Sequence, residues 1–288
     1  MKSQYENRVM SSFLLWFDHT LLSKGEAYTN HGSKFYPVDT TYYGYTSYGA
    51  PFKQLVTDSS IAGADIMYDV YVSGSAAGNI KATGEYPLYD INYDQGQLYF
   101  NGEIAPDALI SGKYAVKDFN VYLTSKAEQE LLFESKIDLR PSTSQTETGL
   151  APEVETYPAV FLKNNGGKND PFALGGEDRT EINVRAIVLA DSQFNLDAAC
   201  SIFKDRVKTD IPIIPDNNYP FNAFGGLKSG VYNYTELTSS IEDVVSIHSV
   251  DISRFSLGYM ENLKNTNPDV FKAIIDFELE AYRFPRVS

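Results

Sequence analysis

The chain carries few groups suited to catalysis: three histidines, one cysteine and 38 carboxylates. His19, His31 and His248 fall in a candidate helix, a loop and a strand. No HExxH pattern or paired-histidine spacing occurs, so no metal site or general base is assembled locally. His19 lies at the polar end of its helix and reads as an exposed or capping residue. Cys200 sits in the apolar run Leu196–Phe203 and reads as a small core residue. A single cysteine excludes an intrachain disulfide and nearly excludes a cysteine-based zinc site.

Asp90-Ile91-Asn92-Tyr93-Asp94-Gln95-Gly96 has the carboxylate spacing of a calcium loop. The sixth position, which needs glycine, is Gln95; the twelfth, which needs a bidentate glutamate, is Asn101. Alternating Tyr and Ile between acids is also what a hairpin strand requires. The glycine pairs at 166–167, 175–176 and 225–226 read as turns, since none follows a strand and opens a helix. No carboxylate pair stands out for glycoside hydrolysis. The sequon at Asn233-Tyr234-Thr235 has no secretion signal to go with it. These observations predict a non-enzyme with no catalytic, cofactor-binding or metal-binding residues.

The elements that would position any site follow from periodicity. Val9, Phe13, Trp16, Phe17 and Leu21 recur at spacings of three and four, predicting a helix over 6–23 with Gly25 as its stop. Its stripe packs either on the core or on another subunit. Residues 28–60, rich in Tyr, Gly and Ser, read as a long, partly extended binding loop. Alternation from residue 64 predicts strands, including a hairpin turning at Asp94-Gln95-Gly96, and so an antiparallel β-sandwich or barrel. Residues 128–139 fit strand or helix equally. Residues 141–156 are Pro, Ser, Thr and Glu-rich and read as a linker.

Beyond the linker, Tyr157–Leu162 and 182–188 read as strands, and 194–207 as a helix capped by Asp191 or Ser192. Residues 270–283 form the clearest strand, alternating Phe271, Ala273, Ile275, Phe277, Leu279 and Ala281 with charged residues. The predicted class is α+β. A domain over 1–140 holds the helix, the Tyr-rich loop and the sandwich or barrel; a smaller α+β domain over 157–288 packs one helix on a mainly antiparallel sheet.

Net charge is −14, and no run of Lys and Arg occurs. That argues against a module that grips DNA phosphates and against docking on an anionic membrane. The polar first residues and the short apolar stretch Phe13–Phe17 match neither a signal peptide nor a membrane span, which predicts cytoplasmic synthesis. The 21 tyrosines and 17 phenylalanines suit strands and wet contact surfaces. Trp16, Phe17, Tyr42, Tyr43, Tyr45, Tyr48, Tyr219, Phe221, Phe224, Tyr232 and Tyr234 are the candidate interface residues.

Several phrases resemble structural proteins from the neck and tail region of tailed bacteriophages. They are Phe13–His19 with Gly25–Tyr28, Pro51–Asp58, Ile91–Gly96, Val116–Tyr122, Tyr157–Leu162, Asp191–Phe203 and the closing strand 270–284. The second half is similar to a tail-terminator or tail-completion domain. The first half is longer than simple terminators have, which keeps neck, collar and baseplate positions open. The resemblance implies a virion protein that forms a homo-oligomeric ring, contacts neck, tail-tube or sheath proteins, and lets DNA pass as unbound cargo. Acidic lumen residues would repel phosphate and let DNA slide. The Tyr-rich loops also fit a carbohydrate- or receptor-binding module of a tail fibre or baseplate; a glycan hydrolase is a third reading.

Overall fold

The computed structural model describes residues 4–38, 44–73, 75–79, 87–105, 107–134, 138–139, 156–221, 230–255 and 270–284. The protein is α+β: an N-terminal helix and two curled, mainly antiparallel sheets. The first sheet contains β1 (Tyr28–Pro37), β2 (Thr46–Gly49), β3 (Asp69–Val72), β4 (Ser75–Asn79), β5 (Leu88–Asn92), β6 (Gln97–Phe100) and β7 (Ile110–Lys117). Its strand order is β4-β3-β7-β1-β2-β6-β5, and it curls until its end strands β4 and β5 approach each other. Phe35, Leu55, Met67, Val70, Leu98, Phe100 and Tyr114 fill the hollow.

The hairpin at 88–100 forms as its alternation predicts. Gly96 is required there. It holds φ at +64°, and a Cβ would stand 2.1 Å from the Phe52 carbonyl oxygen. That carbonyl is backbone and cannot swing aside. Gly96→Ala is therefore expected to lower stability by about 2 kcal/mol or more, measured by urea unfolding.

The second sheet has the order β13-β14-β15-β12-β11-β8. Its strands are β8 (Asn120–Leu123), β11 (Ala159–Pro171), β12 (Asp178–Ala190), β13 (Asp210–Pro212), β14 (Val244–Arg254) and β15 (Phe271–Arg283). A minor parallel pair joins β9 (Asp138–Leu139) to β10 (Thr156–Tyr157). Strands β11, β12 and β15 are 13 residues each, about 40 Å at the usual rise. α1 (Tyr5–Lys24) and α2 (Gln193–Lys204) cover one face of this sheet. Ser192 caps α2 by accepting from the Asn195 amide. The short α3 (Tyr234–Thr238) is capped by Asn233 in the same way. Aromatic rings form the centre of this core: Phe17 stacks on Phe203 at 3.8 Å, and Phe13 meets Phe277 edge-on at 5.1 Å.

One expectation needs revision, and one open reading resolves. Residues 28–60 are not one loop but contain β1 and β2. β1 lacks apolar alternation because Phe35 is its only fully buried side chain; pairing with β7 over Tyr28↔Lys117 to Phe35↔Ile110 holds it extended. The ambiguous stretch 128–139 forms a one-turn π-helix at Glu130–Glu134 and then β9. The expected linker lies outside the described residues except for Thr156. α1 and β8 come from the first segment yet belong to the second sheet's core, β8 pairing in parallel with β11.

Candidate functional site

The two sheets are tied together at a buried polar junction centred on Asp58. Its side chain is fully buried. Oδ2 pairs with His19 Nδ1 at 2.7 Å, while Oδ1 accepts from the Ser60 amide and hydroxyl and from the Tyr234 amide at 2.7–3.0 Å. His19 stacks on the Tyr234 ring at 4.3 Å. One carboxylate thus joins the C-terminal half of α1, the 57–60 segment and the start of α3. Burial alone would raise the Asp58 pKa, but the hydrogen bonds from His19, Ser60 and Tyr234 outweigh it and hold the group below its ordinary value.

Beside it, Lys117 donates to Asp18 at 2.7 Å, with both side chains nearly buried. Ser59 donates its amide and hydroxyl to the Tyr232 carbonyl. Ser12 accepts from the Ile214 amide at 2.9 Å. Burial drives the Tyr232 phenol well above its ordinary pKa, with Asp18 and Asp58 adding to the effect.

An Asp–His pair is also two-thirds of a nucleophile-activating set. Here, among the described residues, Asp58 is the only hydrogen-bond partner of His19. The Asp58 oxygens are already occupied by three backbone and side-chain donors besides the histidine. The geometry therefore describes a clasp between chain segments. His19 is neither exposed nor a cap, contrary to the sequence reading. His31 stacks on Phe52 at 4.4 Å, and His248 reaches Glu280 at 3.1 Å on the outer face of the second sheet. Among the described residues, no group of three or more His, Cys, Asp or Glu could hold a metal ion.

The candidate interface residues separate into inner and outer sets. Trp16 and Phe17 are interior, sealed by Phe203 and Phe277 of the same chain, and so cannot meet another subunit. Tyr48 is buried in the first sheet, edge-on to Phe100 at 5.8 Å. Tyr232 and Tyr234 are buried at the junction. Their burial follows from long-range packing, which local composition does not encode. Tyr45 stacks on Tyr89 at 4.2 Å on the outside of the first sheet. Tyr219 and Phe221 are half-buried and continue to Tyr232 as a ladder of rings 5.8 and 6.0 Å apart. Tyr42, Tyr43 and Phe224 lie outside the described residues.

Two exposed features were missed. The β11–β12 hairpin extends past β8, which pairs only with residues 159–162 of β11, so that among the described residues 163–171 have no strand on that side. At its tip Phe172 is 60% exposed and Leu174 fully so, beside half-exposed Tyr282 and Phe284. Phe172 meets Tyr282 at 4.6 Å. Separately, Phe194 projects from the first turn of α2 at 80% exposure. The sequence signal was present in Pro171-Phe172-Ala173-Leu174-Gly175, where apolar residues sit inside turn punctuation.

An open cleft of about 520 Å³ lies between the 217–220 turn and α3. Tyr219, Pro220, Val231 and Leu237 give it an apolar floor; Asn217, Asn218, Glu236 and Ser240 ring it. No protein-family model matches the chain, and no curated protein matches it. None of the described helices is long and apolar enough to cross a membrane.

Proposed function

We propose that this protein is a structural component of a tailed-phage virion, assembling as a ring in the neck or tail-terminator region through which DNA passes. The observation that carries the assembly part is the projecting β11–β12 arm. It combines a strand edge that no other described strand covers with a fully exposed leucine and three further exposed rings at one corner. A soluble monomer rarely leaves such a patch bare, and an uncovered edge invites pairing. The net charge of −14 suits a conduit that does not hold its cargo. The position in the virion rests on the resemblance of the sequence phrases.

The test is mass spectrometry of purified virions from a phage encoding this chain, with sizing of the isolated protein. Stoichiometric presence in the particle and a closed oligomer are the expected results. Absence from virions removes the reading. A second reading, a carbohydrate-binding module, is favoured by the outward Tyr45–Tyr89 stack, since sugars pack on aromatic faces. Under that reading, Tyr89→Ala abolishes binding on a glycan array; an array without hits for the unaltered protein dismisses it.

A further inference from the structure

When glycine follows asparagine, the side-chain carboxamide meets the next backbone nitrogen with no β-carbon in the way and with a permissive backbone. The chain has two such pairs, Asn101-Gly102 and Asn165-Gly166, and both are exposed. The fold treats them differently. The Gly166 amide is engaged, donating to Asn164 Oδ1 at 2.8 Å. That pair also lies within the β11–β12 ladder, at the bulge between Asn164↔Val184 and Gly167↔Ile182. Asn101-Gly102 instead follows β6 directly. Neither the Gly102 amide nor the Asn101 carboxamide has a hydrogen-bond partner among the described residues. Gly102 holds φ at +122°, and a Cβ there would meet nothing within 4 Å, so the site is open to water. The backbone around it is pinned. The Asn101 amide donates to the Pro87 carbonyl at 3.0 Å, and Thr46 Oγ1 donates to the Gly102 carbonyl at 2.8 Å.

We propose that Asn101 is a site of spontaneous conversion to aspartate and isoaspartate, and that the fold protects Asn165 from the same reaction. The Gly102 nitrogen attacks Asn101 Cγ. The new N–Cγ bond forms, the Cγ–Nδ2 bond breaks, and Nδ2 leaves as ammonia with the proton given up by Gly102. Solvent water then opens the five-membered ring. Opening at the side-chain carbonyl gives aspartate; opening at the backbone carbonyl gives isoaspartate, which routes the main chain through Cβ. No oxidant or reductant is needed. At Asn165 the bond from the Gly166 amide to Asn164 must break before that nitrogen can attack, and the ladder holds the backbone in place. The product at Asn101 matters to the fold. Asn101 and Gly102 clip the end of β6 to Thr46 at the start of β2 and to Pro87 just before β5. An added backbone carbon and a new negative charge there pull the Gly102 carbonyl away from Thr46, loosening one end of the first sheet with time. The reaction runs in the isolated chain, whatever assembly the chain joins.

The experiment incubates the purified full chain at mildly alkaline pH, folded and in guanidinium chloride. Peptide mapping by mass spectrometry follows each asparagine, and an isoaspartate-specific methyltransferase labels the rearranged product. In the folded protein the Asn101 peptide is expected to convert at least about tenfold faster than the Asn165 peptide, the margin that one retained hydrogen bond supplies. In guanidinium chloride the two are expected to convert at similar rates. Asn101→Gln should remove the signal from its own peptide and leave the Asn165 peptide as it was. Asn164→Ala, at an exposed position, frees the Gly166 amide and is expected to speed conversion of Asn165 several-fold in the folded chain. A folded chain whose Asn101 stays intact while the unfolded chain converts overturns the proposal. So does an Asn165 peptide that converts as fast as Asn101 in the folded protein. An Asn164→Ala chain with unchanged conversion at Asn165 overturns the assignment of the protecting contact.

Discussion

Replacing Asp58 with alanine is expected to destabilise the protein by about 3 kcal/mol, because it removes a fully buried acceptor and strands its donors. The Ser60 and Tyr234 amides lose their acceptor, and the His19 ring loses its hydrogen bond. Asp58→Asn keeps one oxygen for those amides and is expected to cost less. The two variants also separate by pH. The Asp58 carboxyl titrates lower in the folded chain than its ordinary 3.8, so the unfolded chain binds the proton more readily. Its stabilisation is complete above that ordinary value and is lost as pH falls through the lower folded value. Urea unfolding from pH 7 to pH 2.5 should show a steeper acid loss for the unaltered protein than for Asp58→Asn. Parallel curves would mean that the clasp is not a carboxylate clasp.

The second large effect lies in the aromatic centre of the other core. Phe203→Ala is expected to cost about 3–5 kcal/mol, the range for removing a buried ring whose neighbours cannot close in. Phe203 is fully buried and touches Phe17, Trp16 and Phe277 at once. These come from α1 and β15, so collapse at the site would require both to shift. Phe203→Leu retains much of the volume and should lose far less. Trp16, the only tryptophan, sits against this ring and reports the transition by fluorescence. An unchanged urea midpoint would show that the stack is not part of the cooperative core.

The legible parts of this fold are those with local periodicity. α1, α2, the 88–100 hairpin and β15 are visible because each alternates or repeats over its own length. β1 is invisible because its side chains are polar or half-exposed on both faces, and its conformation is imposed by β7, eighty residues away. The same distance hides the site. Asp58 follows Thr57 in a loop, where a lone carboxylate looks solvated; His19, Ser60 and Tyr234 become its partners only on folding. Trp16 and Phe17 were legible as an apolar stripe, but a stripe does not state whether its partner is the same chain. The arm tip was readable in principle, since Phe172 and Leu174 interrupt a run of turn residues that otherwise has no reason to be apolar.

The placement of α1 has a consequence for how the protein is made. The helix is synthesised before its partners, since its aromatic face is covered by Phe203 and by Phe277, both much later in the sequence. β8 likewise waits for β11 to supply its neighbour. The first 140 residues therefore cannot reach their final packing as they are synthesised, whatever order the first sheet adopts. A fragment ending before β11 is expected to be insoluble when expressed alone. For the whole chain, the interval between translating Trp16 and translating Phe277 is the period in which a chaperone, or aggregation, would find an exposed aromatic helix.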